Sequence, residues 1–107
     1  MGSWYAELQE FETAEKEYSL AIGMRPHVYD FYFYRGNVRA QLRKAEEAIK
    51  DYDMALRLEP GLVGAYKMRG ACYQHLGDLE KACVDFRQAA DMGDAEALSH
   101  WERLCGN

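Results

Sequence analysis

The chain has 107 residues and a formal net charge of −5, from 13 Lys and Arg against 18 Asp and Glu. This length fits one small domain. Hydrophobic residues make up 49% and charged residues 29%, which excludes a wholly disordered chain. The acidic balance leaves no basic footprint for a phosphate backbone, and no stretch reaches the roughly 20 apolar residues of a membrane-spanning helix. We therefore expect neither nucleic acid nor a membrane as partner.

The apolar residues recur with helical spacing along the whole chain, and nothing indicates a strand. Pro26 and Pro60 each predict the end of a helix, because proline lacks the amide and clashes with the preceding turn. The Gly77-Asp78 pair predicts a turn followed by a helix cap, and Asp94 is expected to cap the final helix. The sequence thus predicts seven helices, at approximately 3–9, 11–23, 29–42, 45–58, 63–76, 79–92 and 95–105.

The chain repeats itself every 34 residues. A forward shift of that length pairs identical residues: Tyr32 with Tyr66, Arg35 with Arg69, Gly36 with Gly70, Ala48 with Ala82, and Asp51 with Asp85. The same shift backwards pairs Ala48 with Ala14, Tyr52 with Tyr18, and Pro60 with Pro26. One register kept in both directions indicates three copies of one helical unit.

The period, the closing proline and the Ala-x-x-x-aromatic step resemble the tetratricopeptide repeat. The resemblance implies an all-α fold, a right-handed α–α superhelix of antiparallel helical hairpins. It also implies a single domain over 1–107. This divides into a partial first repeat at 1–28, a second at 29–62, a third at 63–94, and a capping helix at 95–107.

Two kinds of repeated residue predict contacts inside the hairpins. Gly36 and Gly70 lack a Cβ, so two helices can approach closely there, against Ala48 and Ala82 respectively. Each Arg of the repeat is followed 16 residues later by an Asp, which predicts the structural ion pairs Arg35–Asp51 and Arg69–Asp85. Arg39 departs from the aromatic residue of the family pattern and is expected to reach solvent.

The last helix is expected to bury one face against the stack and to expose a polar face to water, so that it covers the end of the stack. The inner stripe is predicted as Ala97, Leu98, Trp101, Leu104 and Cys105, and the outer residues as Ser99, His100, Glu102 and Arg103.

No motif of an enzyme, metal site or cofactor site is present, so we expect neither catalysis nor a bound group. Cys72, Cys83 and Cys105 form no CxxC pair. They are interpreted as small, unpaired core residues in a reducing compartment, which predicts a cytoplasmic protein.

The resemblance implies that the first helix of each hairpin lines a concave groove. The candidate partner-binding residues are Phe33, Asn37, Gln41, Lys67, Ala71, Gln74 and His75. In this hypothesis Phe33 anchors an apolar side chain, Asn37 binds the partner's backbone, and Lys67 attracts an acidic group. The chain is therefore predicted to be a protein–protein interaction module, an adaptor or scaffold that binds a partner segment.

Three alternatives stay open. Some members of the family clamp the C-terminal carboxylate of heat-shock chaperones with Lys, Asn, Asn, Lys and Arg. Asn37 and Lys67 match two of those positions, while Ala71 replaces the Arg and Ser3 an Asn. The second alternative is self-association through the uncapped N-terminal edge. The third is a catalytic part outside this chain.

Overall fold

Residues 2–106, with side chains from Glu7 onward, are described by a computed structural model. This part of the chain forms six α-helices: α1 Gly2–Met24, α2 Tyr29–Gln41, α3 Ala45–Leu58, α4 Val63–His75, α5 Leu79–Asp91 and α6 Ala95–Cys105. Each helix packs against the next, so the helices stack as antiparallel neighbours in a right-handed superhelix. None of these helices is long and apolar enough to cross a bilayer.

The first two predicted helices are one continuous helix, α1, which corrects the expected break near residue 10. The other hairpins turn at Arg43 and Gly77, whose φ angles are 63° and 85°. Gln9 stands in the same register and is followed by Glu10, where the third hairpin has the capping residue Asp78 after Gly77. Gln and Glu both favour helix, which is consistent with the continuous helix at this point.

The core is built from the repeated small and aromatic residues. Ala48 and Ala82 are fully buried, and so are Tyr52 and, to within 1%, Phe86. A Cβ on Gly36 would lie 2.9 Å from the Tyr52 ring. The absent side chain is therefore what lets α2 approach α3.

Both predicted ion pairs between Arg and Asp are present inside the hairpins. Arg35 Nη2 lies 2.7 Å from Asp51 Oδ1, and Arg69 Nη2 lies 2.8 Å from Asp85 Oδ1. Arg39 does not reach solvent as expected, because Glu15 of α1 and Asp51 lie within 2.9 and 3.1 Å of its guanidinium.

Two cysteines are paired, which contradicts the interpretation of three unpaired core thiols. Cys83 of α5 and Cys105 of α6 form a disulfide across 22 residues, and only Cys72 is buried as a free thiol in residues 2–106. The spacing of the two cysteines is unrelated to any local motif, so only the docking of α6 on α5 brings them together. The cytoplasmic location stays a prediction.

The buried stripe of α6 differs by two residues from the expected one. His100 stacks on Phe86 with ring centroids 5.1 Å apart, whereas Leu98 is 44% exposed. The inner residues are Ala97, His100, Trp101, Leu104 and Cys105, which lie on one face of a helix. Asp94 caps the helix by accepting a hydrogen bond from the Ala97 amide at 3.1 Å.

Candidate functional site

The described structure contains a cleft of about 660 Å³ near the carboxyl ends of α2 and α4. The N-terminal half of α1 forms its third wall. The cleft is lined by Glu7, Leu8, Phe11, Ala40, Gln41, Leu42, Arg43, Ala45, Met68, Ala71, Cys72 and His75.

The hairpin geometry explains why these residues meet. Parallel first helices of consecutive hairpins place their last turns side by side, so Gln41 of α2 and His75 of α4 fall in the same region. Because α1 continues straight past Gln9, its residues Leu8 and Phe11 extend over the same space. The unbroken helix is therefore what turns an open groove into a three-sided cleft.

The floor of the cleft is apolar and chemically inert. Ala45 and Cys72 are 8% and 5% exposed, and Met68 packs against the same core cluster. Burial raises the pKa of the Cys72 thiol to about 11, so this sulfur is neutral at physiological pH and acts as a small apolar group. Such a floor has the chemical character of a site for a hydrophobic side chain.

The rim of the cleft carries polar groups of both signs. Glu7, Arg43 and His75 are all exposed there, and Gln41 adds an amide. An apolar floor with a mixed polar rim is the arrangement found where proteins bind a segment of another chain.

Three of the seven sequence-predicted binding residues lie in this cleft: Gln41, Ala71 and His75. The other four lie outside it, and each has a different environment. Gln74 is exposed on α4 beside His75.

Phe33 and Asn37 contact the body of the second hairpin. Phe33 is half-buried, with its ring 6.0 Å from that of Tyr52 and against Gly64 of α4. Asn37 Oδ1 accepts a hydrogen bond of 2.6 Å from the Tyr52 hydroxyl. The Phe33 ring also lies 5.6 Å from that of Tyr34, so both predicted binding residues already have contacts within the chain.

Lys67 forms ion pairs within the chain. Its ammonium lies 3.1 Å from Glu96 and 3.2 Å from Asp94, both at the start of α6. The hydrogen bond to Glu96 contributes most to raising the pKa of Lys67. The charge that the sequence assigned to a partner's acidic group is therefore already balanced.

Sequence reasoning missed Leu8 and Phe11 as lining residues. Phe11 stands in register with Ala45 and Leu79, so an aromatic at this position was a visible departure from the repeat. Its role follows only from the continuous α1. Among residues 2–106, no three His, Cys, Asp or Glu side chains lie together as metal ligands would.

Sequence comparison identifies two adjoining family matches. The model of the tetratricopeptide repeat matches residues 29–62, and a second model of the same description matches residues 63–92. Together they span more than half of the chain. No curated protein sequence is significantly similar to it.

Structure comparison gives similar folds at low sequence identity. The first TPR of Spaghetti (RPAP3) bound to the HSP90 peptide SRMEEVD has a TM-score of 0.85 at 23% identity, covering 96% of this chain and 83% of that one. The Arabidopsis OM64 TPR domain has a TM-score of 0.86 at 23% identity, with 99% and 89% covered. The second TPR domain of human RPAP3 in complex with the HSP70 peptide SGPTIEEVD has a TM-score of 0.84 at 24% identity, with 96% and 88% covered.

Proposed function

Because the chain belongs to the tetratricopeptide repeat family, we propose that it is a protein–protein interaction module, not an enzyme, and that it binds a segment of a partner protein in the cleft between α1, α2 and α4. The observation that carries the proposal is the apolar floor of this cleft, closed on three sides by helices and rimmed by Gln41, Arg43 and His75. No cofactor takes part.

The partner segment places a bulky apolar side chain against Met68, Ala71 and Cys72. Polar groups that flank this anchor meet the rim, where Arg43 favours an acidic neighbour and Glu7 a basic one. Because the walls are helices already fixed by the core, the module itself loses little conformational freedom on binding.

The test uses peptides of 12–15 residues selected against the chain, with affinity measured by fluorescence anisotropy. Ala71→Trp fills the cleft from an exposed position and should weaken binding about tenfold or more. Ala95→Trp, at an exposed alanine on α6 outside the cleft, is the matched control and should change affinity less than about twofold. Equal effects of the two variants would contradict the assignment of this cleft.

Chaperone-tail binding is the second candidate, because two of the similar structures contain peptides ending in EEVD. The five-residue carboxylate clamp is incomplete here, since Ala71 replaces its Arg. Asn37 and Lys67 also have partners of their own within the chain. We therefore expect the peptide SRMEEVD to bind this chain much more weakly than the selected peptides, and comparable affinity would favour the chaperone-tail alternative.

A further inference from the structure

One face of α1 is less buried than its counterparts in the second and third hairpins. In α3, Asp51 and Tyr52 are 3% and 0% exposed, because α2 covers them. In α1 the residues in the same register are Glu17, which is exposed, and Tyr18, which is half-buried. The small residues of this face, Ala14 and Ala21, are also only half-buried, whereas Ala48 and Ala55 are fully buried.

The helices that cover the equivalent faces share a two-residue signature. Arg35-Gly36 of α2 lies on α3, and Arg69-Gly70 of α4 lies on α5. In each case the Arg donates two hydrogen bonds to the Asp of the second helix. The Gly leaves room for the aromatic ring that directly follows this Asp in the sequence. A helix with an Arg-Gly step therefore has the shape and the charge that are complementary to this kind of face.

The corresponding face of α1 retains an acidic residue at the position of the Asp in these Arg–Asp pairs. Glu17 occupies the register of Asp51 and Asp85, and Glu10 lies two turns earlier on the same side. Neither glutamate forms an ion pair within residues 2–106. Leu20 and Met24 flank the face and are 69% and 82% exposed, so an apolar border adjoins the acidic positions.

We infer that this face of α1, defined by Glu10, Ala14, Glu17, Tyr18 and Ala21, docks a basic amphipathic helix of a partner protein that carries an Arg-Gly step. The Arg of that helix meets Glu17, and its Gly lies over Tyr18. This surface is separate from the cleft of the proposed function, so the two can be occupied independently.

Other sources of such a helix fit the structure less well. Residues 2–9 are part of α1 itself, so this stretch does not cover the face. In a second copy, α2 and α4 are already paired within their own hairpins. The remaining helix, α6, has Arg103 in the matching register but Leu104 where the Gly is needed. A Cβ on Gly36 would already lie 2.9 Å from Tyr52, so a Leu at that position holds the helices apart.

The experiment uses a synthetic peptide of residues 29–44, the chain's own basic helix with the Arg-Gly step, and titrates it into the intact chain. We expect saturable binding that Glu17→Lys weakens about tenfold, because the charge that meets Arg35 of the peptide is reversed. Glu12→Lys makes the same charge change at an exposed position off this face and should alter affinity less than about twofold.

Two further measurements test the contact between Glu17 and the Arg of the peptide, and the assignment of the peptide to this face of α1. A peptide with Arg35→Glu should bind Glu17→Lys better than it binds the unchanged chain, since the reversed pair restores the attraction. Ala71→Trp should leave peptide binding unchanged. Equal losses from Glu17→Lys and Glu12→Lys, or no rescue by the reversed pair, would overturn the inference.

Sedimentation of the chain without peptide tests whether a second copy of the chain occupies this face instead. A monomer across the concentration range supports docking of a partner helix. Self-association that Glu17→Lys abolishes and Glu12→Lys does not would show that a second copy covers this face, which also overturns the inference.

Discussion

Arg69 Nη1 lies 2.7 Å from Asp53 Oδ1, so the guanidinium that pairs with Asp85 inside the third hairpin also joins that hairpin to the second. Its counterpart Arg35 makes the same two kinds of contact, but the residue in the register of Asp53 is Ser19, whose hydroxyl accepts a hydrogen bond of 3.1 Å. At this position the first junction of the stack therefore has a hydrogen bond to a neutral hydroxyl, whereas the second has an ion pair.

Replacing Ser19 with Asp should strengthen this junction. The carboxylate would accept a charge-assisted bond from Arg35, and we expect the free energy of unfolding to rise by about 0.5–1 kcal/mol. Urea denaturation at low and at high salt measures the change. Ser19→Asn keeps the shape without the charge, so an equal gain from Asn would contradict an electrostatic origin.

Gly36→Ala should destabilise the protein although alanine favours helix. The added Cβ would lie 2.9 Å from the buried Tyr52 ring, and overpacking of this kind costs about 1–3 kcal/mol. Gly23→Ala is the matched control, because nothing lies within 4 Å of a Cβ there. That variant should gain about 0.5–1 kcal/mol. Thermal unfolding of both variants measures the two changes in stability, which are expected to have opposite signs.

Loss of the Cys83–Cys105 disulfide should lower stability without changing the cleft. The bond closes a loop of 22 residues, and a loop of that length corresponds to about 3 kcal/mol in the chain-entropy model. Cys83→Ser combined with Cys105→Ser should therefore unfold at lower urea, whereas peptide affinity at the cleft should stay the same. A reducing agent should reproduce the loss in the unchanged chain and have no effect on the double variant.

Acidification should weaken the contact between α1 and the second hairpin through Glu15. Partial burial raises the pKa of Glu15, but hydrogen bonds from Arg39 and Lys44 outweigh this effect, so the pKa lies below its usual value of 4.5. A lowered pKa in the folded state stabilises the protein above the usual pKa, and the contribution is lost as the pH falls through the folded value.

The measurement is the free energy of unfolding between pH 7 and pH 3. Glu15→Gln should cost about 1 kcal/mol at pH 7 and make the decline with falling pH shallower. Glu12→Gln, at an exposed position of the same helix, should leave both quantities nearly unchanged. A steeper decline for Glu15→Gln would contradict the assigned role.

The residues of the site that could be predicted from the sequence are those on the repeated helices. Gln41, Ala71 and His75 were predicted from the family resemblance, which assigns the first helix of each hairpin to the groove in a register that recurs every 34 residues. Lys67 was predicted in the same way, yet its ammonium pairs with Asp94, which precedes α6, and with Glu96 in the first turn of α6. Contacts between elements that do not repeat cannot be found by comparing repeats.

The sequence by itself determined the stack of helical hairpins, because helical periodicity, proline breaks and paired glycines act locally and recur in one register. It also determined the Arg–Asp pairs, which repeat with the hairpins. Only the tertiary structure decided that α1 runs unbroken, that Phe11 closes a cleft, that Cys83 meets Cys105, and that one face of α1 lies open. Each of these depends on where distant helices dock, and docking is set by the packing of whole surfaces, which no single stretch of sequence encodes.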